Sequence, residues 1–196
     1  MKKSQRVLLT LLVIGLVGAI AGFGTFSAFS STTSNDGNSF SAGTVTLTDN
    51  DSGSAMYTVS NAKPGDSASA CITVTYGGSL AANVKLYTTS TIGSLGSHLT
   101  LVITQGTGTV SFGSACTNFT PDGSGSQIYN GTLSTFASTY SNFSNGLSLT
   151  NASASTTWSQ NDARVYKFQI TLPSGDTTGG GLNTGSHSYT WEAQNT

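Results

Sequence analysis

Few side chains in this sequence could do chemistry. Cys71 and Cys116 are its two cysteines, His98 and His187 its two histidines, and Glu192 its single glutamate. A zinc hydrolase takes two or three His or carboxylate ligands, commonly from His-Glu-x-x-His on one helix face. Neither histidine has a glutamate at that spacing, and Glu192 falls in a strand-like alternation. No catalytic residue, metal or cofactor is therefore expected. A nucleophile elbow is also missing: the Gly/Ser run around Gly123 is low in complexity, with no strand-to-helix pattern about it. Asp49, Asn50 and Asp51 offer oxygen ligands of the kind calcium takes. The run from Asp49 to Gly53 reads more simply as a turn.

Two modifications are written more plainly. In an exported chain a lone pair of cysteines most simply forms a bridge. Joining Cys71 to Cys116 closes 45 residues, worth roughly 4 kcal/mol in the chain-entropy account. Asn50, Asn118, Asn130, Asn142 and Asn151 each begin Asn-x-Ser/Thr and are candidate glycan acceptors on an extracellular protein. In so Ser/Thr-rich a chain, several such triplets also arise by chance.

The rest of the composition explains why chemistry is sparse. Of 196 residues only 8% are charged, against roughly 25% in an average soluble protein. Ser, Thr, Asn and 24 Gly fill the remainder, which favours many short strands and turns over helices. Beyond residue 28, four cations against eight anions leave a net of −4. That balance offers no basic face to a nucleic acid. Low charge also permits copies of the chain to pack against one another.

At the start, Lys2, Lys3 and Arg6 precede an uncharged, mostly apolar run from Val7 to Phe23, followed by the small residues Gly24, Ser27 and Ala28. This is the plan of a secretory signal peptide over residues 1–28, with cleavage near Ala28 by a signal peptidase. Membrane contact would then be confined to the leader before cleavage. An uncleaved anchor and a pilin-like leader cut near Arg6 are the alternatives.

Several blocks resemble the TasA/camelysin family. They are Gly24-Thr-Phe-Ser-Ala-Phe29, Asn38-Ser-Phe-Ser-Ala-Gly-Thr-Val-Thr-Leu47, Ala62-Lys-Pro-Gly-Asp-Ser67 with Gly77-Gly-Ser-Leu80 after it, and the closing Asn183-Thr-Gly-Ser-His-Ser-Tyr-Thr-Trp-Glu-Ala-Gln194. Residues 95–160 carry no such block. The resemblance implies matrix fibres or archaeal bundling pili joined by strand donation, and it brings a second implication, since camelysin-type members are labelled metallopeptidases.

Past the leader the pattern is one of strands. Phe40, Val45 and Leu47 open one, Met56 to Ser60 a second, and Ala70, Ile72, Val74 and Tyr76 alternate with polar residues in a third. Lys63-Pro-Gly-Asp66 is a turn with Pro64 and Gly65 at its centre. Further alternations centre on Val84 and Leu86, on Leu99, Leu101 and Ile103, on Tyr166 to Leu172, and on Tyr189, Trp191 and Ala193. From 106 to 157 the signal fades. Phe136, Tyr140 and Phe143 are spaced for a short helix, and a long Ser/Thr/Gly/Asn-rich surface insertion fits as well. The expected fold is all-β, a jelly-roll-like sandwich over residues 49–196.

Residues 29–48 form the candidate donor strand. Phe29, Phe40, Val45 and Leu47 would dock into the next copy by β-augmentation, and repetition gives an open head-to-tail homopolymer. The function expected is a non-enzymatic subunit of a secreted filament, in a biofilm matrix or at the cell surface. A camelysin-like cell-surface metalloprotease and a monomeric surface adhesin are the competing expectations.

Overall fold

In a computed structural model, residues 2–23, 41–113 and 115–196 are described. The chain divides into two compact units, Met1–Ser41 and Ala42–Thr196. The first holds helix α1, Lys3–Phe23. Its uncharged part, Val7 to Phe23, rises about 26 Å at 1.5 Å per residue, short of the roughly 30 Å of bilayer hydrocarbon. Among the described residues no helix is long and apolar enough to cross a membrane. Cleavage near Ala28 and the candidate donor residues Phe29 and Phe40 lie outside the described residues.

The second unit is an all-β sandwich, as its alternating pattern predicts. Its larger sheet runs in the order β1 (Leu47–Asp49), β2 (Ser67–Tyr76), β9 (Ala163–Thr171), β4 (Thr100–Thr107) and β5 (Thr120–Pro121), with β6 (Gln127–Thr132) also on β4. The smaller sheet is β10 (Thr190–Asn195), β3 (Ala82–Tyr87) and β7 (Leu147–Ser148), with β8 (Thr157–Trp158) also on β3. All pairings are antiparallel. The longest ladder joins β2 to β9, from Ser67↔Thr171 to Thr75↔Ala163. The turn before it is set by Gly65, whose φ of +97° suits glycine, and Asp66 N–H closes it on Lys63 O at 2.9 Å.

Between the sheets lies one continuous core. Ile72, Val74 and Tyr76 from β2 meet Leu101 and Ile103, Tyr166 and Phe168, and Val84 and Leu86 of the opposite sheet, all at most 1% exposed. The 106–157 stretch contributes to this core. It carries β5 to β8 and helix α2 (Leu133–Thr139), and it buries Leu133, Phe136, Leu149 and Trp158 when the β8 end is included. Thr132 caps α2, its hydroxyl accepting Thr135 N–H at 3.0 Å. Phe136 stacks edge-on to Tyr129 and tilted to Tyr140. That aromatic packing supplies what helix propensity lacks here.

Two strand expectations need correction. Met56 to Ser60 is not a strand: residues 54–62 have no regular structure. Met56 and Tyr57 are adjacent yet both half-buried against the core, which a period of two forbids. The strand expected from Val45 is cut to three residues, with Leu47 half-buried in β1 and Val45 37% exposed. Ahead of β1, the chain is held by Thr44 N–H to Ser79 Oγ at 2.9 Å and by Gly77 N–H to Thr46 O at 2.8 Å.

Candidate functional site

Main-chain hydrogen bonds decide which strand edges this sandwich leaves open. In β3, Val84 O accepts Leu149 N–H at 3.0 Å, so the even residues of β3 turn toward β7 and the odd ones toward β10. The register Tyr87↔Thr190, Lys85↔Glu192 and Asn83↔Gln194 then commits those three β10 residues to β3. Trp191, Ala193 and Asn195 turn their main-chain groups the other way, where no strand of the described residues pairs with them. The edge of β2 is different. Thr75 faces β1, Thr73 N–H reaches Asn50 Oδ1 at 2.9 Å, and Cys71 exchanges hydrogen bonds with Gly113 at 2.9 and 3.3 Å.

A groove of about 550 Å³ opens between β10 and the larger sheet. Ala68 and Ile72 from β2, Ile170 and Leu172, and Tyr189 and Trp191 line it, with Ser54 to Val59 along one wall. Of residues 55–62, none makes a main-chain hydrogen bond to another described main-chain group. The wall is held by the side chains of Met56, Tyr57 and Ala62 and by one polar clamp. Tyr57 Oη lies 2.8 Å from Tyr189 Oη and 2.9 Å from His187 Nε2. Burial pushes the Tyr57 phenol up to about 12 and that of Tyr189 well above 10.

The remaining candidates are placed as follows. Cys71 and Cys116 form the expected disulfide, with Cα atoms 5.2 Å apart. It fastens Val110 and Phe119 against Val165 on the outer face of the larger sheet. Asn118, Asn130 and Asn142 are exposed. Asn50 is engaged instead, its Nδ2 donating to Val110 O at 3.2 Å. Asn151 is 7% exposed and its side chain makes four hydrogen bonds, to Ser153 N, Ser155 N, Thr157 O and Asp162 Oδ2. A glycan on either would have to displace these contacts. Asp49 Oδ1 accepts Asp51 N–H and Asp51 Oδ1 accepts Gly53 N–H, which is the turn chemistry of a loop.

The match to known proteins covers the first half of the chain, the N-terminal helix included. The sequence model of the camelysin metallo-endopeptidase family matches residues 2–99. The chain belongs to the camelysin family. No curated protein matches it.

The family's name implies a metal, and the donor set of this camelysin-family domain does not fit one. His98 pairs with Asp176 at 2.6 Å, His187 with Tyr57 at 2.9 Å and Glu192 with Tyr87 at 2.6 Å, so the three donors sit in separate contacts. Among the described residues no three His, Cys, Asp or Glu side chains converge as ligands. The groove was not foreseen from sequence. Its one legible sign was the Tyr189, Trp191, Ala193 alternation, which marks an apolar strand face without saying that the strand would be an edge.

Proposed function

We propose that this chain is the structural subunit of an extracellular filament, a biofilm matrix fibre or pilus, that polymerises head to tail. The segment from Phe29 onward would leave one subunit and add as a strand to the next. The observation that carries this reading is the β10 edge: three residues with outward main-chain groups beside an apolar groove. An incoming strand would take hydrogen bonds from Trp191 and Ala193 while its alternate side chains fill the groove. Phe29 is the natural anchor for that groove; Phe40, an odd number of residues on, falls on the other face of a continuous strand. Leu47 already pairs with Tyr76 in its own domain, so the donated part ends before β1. The asymmetric contact repeats without closing and yields a fibre. In this reading the subunit is secreted, has itself as partner, is cut by a signal peptidase and is not an enzyme.

Deleting Phe29 to Asp36 should abolish fibres and leave a folded monomer, read by electron microscopy and circular dichroism of the secreted protein, with its N-terminus fixed by mass spectrometry. Fibres of normal length from the deletion would overturn the reading. The family name favours a second one, a metallopeptidase. Stoichiometric zinc together with chelator-sensitive peptide hydrolysis by the purified protein would establish it.

A further inference from the structure

A sandwich that accepts strands must also refuse them at the wrong edge, because every open edge is a template for pairing. On β2 the odd residues face outward, as Gly77 N–H to Thr46 O on one side and Tyr76 N–H to Asp162 O on the other establish. Three different devices fill that edge in turn: β1 at Thr75, the Asn50 side chain at Thr73, and Gly113 at Cys71.

The last of these is the weakest on its own. Gly113 belongs to no strand, and its bridge to Cys71 is isolated. What keeps it there is covalent, since Cys116, three residues on, is bonded to Cys71 itself. Val110 adds a second attachment, 7% exposed and receiving the Asn50 amide through its carbonyl. The bridge thus spans the very residue whose main chain it covers.

From this the geometry points to a role for Cys71–Cys116 as an edge guard. It holds the segment around Gly113 on β2, so that this edge of the larger sheet stays shut to a strand. Released, the cover leaves Ser69 and Cys71 facing outward together, and a second copy of this chain pairs there edge to edge. This goes beyond the filament reading: it concerns the edge that must stay shut, whatever the open one receives.

The test uses the full chain in a mild non-ionic detergent, because α1 is apolar. The variant Cys71→Ala/Cys116→Ala should self-associate roughly tenfold more tightly than the parent, the worth of one or two hydrogen bonds. Light scattering reads the association, and hydrogen exchange should show Cys71-position amides protected only at high concentration. Adding Ser69→Pro, which removes an outward N–H from the edge, should restore the parental level. If the double variant does not fold, Gly113→Pro serves instead. Proline cannot adopt the φ of +116° found there and lacks the N–H, so the cover lifts with the disulfide intact. Parental association in a folded variant, or association indifferent to Ser69→Pro, overturns the proposal. Fibre formation plays no part in either readout, so this inference and the filament reading fail separately.

Discussion

Asp176 shows how a single polar residue can fix a loop and set a pH dependence. Its carboxylate accepts Gly179 N–H at 2.6 Å, His98 Nδ1 at 2.6 Å and Thr178 N–H at 3.0 Å. The Gly179 bond, then His98, holds its pKa below the ordinary 3.8. A depressed carboxylate stabilises the fold above its unfolded pKa, and that contribution is lost as pH falls through the lower folded value. Urea midpoints measured between about pH 6 and 2 should drop below pH 3.8, and Asp176→Asn should flatten that part of the curve. Arg164 makes a contrasting case. It is 3% exposed and paired with Asp122, which keeps access to water. Burial lowers the Arg164 pKa, yet an arginine stays charged at any ordinary pH. Removing Asp122 therefore strands a buried cation, whereas removing Arg164 leaves a carboxylate that solvent can serve. Asp122→Ala should cost about 2–3 kcal/mol and Arg164→Met about 1 kcal/mol, measured by denaturant unfolding.

Among the elements, α2 is the sharpest test of where the core lies. A helix on a surface insertion would tolerate change, but Phe136 is fully buried and packed by Tyr129, Tyr140 and Tyr189. Phe136→Ala should cost about 3–5 kcal/mol, and Thr132→Ala, which removes the cap, about 1 kcal/mol. Unfolding midpoints check both. This element also marks the limit of what the sequence discloses. Strands such as β2, β4 and β9 are legible because one face is apolar and the other is not, a signal carried by every second residue. Between 106 and 157 the strands are two to six residues long and the helix spans two turns, so each presents one or two apolar residues. Such segments are fixed by what they pack against. Met56 and Tyr57 misled for the opposite reason, two apolar neighbours both turned inward by a strap with no ladder to join. The bridge could be read directly. The groove could not, since an edge is a property of the whole sheet and of no single strand.

At the scale of the molecule, two neighbouring edges of the sandwich are treated unequally. The edge of β2 is covered by a strand, a side chain and a disulfide-held loop. The edge of β10, in the other sheet, has no paired strand at Trp191, Ala193 and Asn195 among the described residues. With only 8% charged residues, the domain has little electrostatic means of repelling its own copies. Backbone coverage takes over that task, and it does so selectively.

The strap from Ala55 to Ala62 then has a consequence for the lifetime of any assembly. With no main-chain hydrogen bonds to the main chain of other described residues, it is the segment of the domain that an endopeptidase should cut first. Both cysteines lie on the C-terminal side of that cut, so the bridge does not retain the N-terminal piece, which keeps the three pairs of β1, the bonds of Thr44 and Thr46 to residues 77–80 and those of the Asn50 side chain. Limited proteolysis should release residues up to the strap, and with them part of the groove wall, while the remainder, from β2 to β10, stays folded. Mass spectrometry and circular dichroism of the digest check this. The product would be a subunit that can receive and no longer give. On the filament reading proposed above, a trace of nicked protein added to intact protein should shorten the fibres in proportion to its amount.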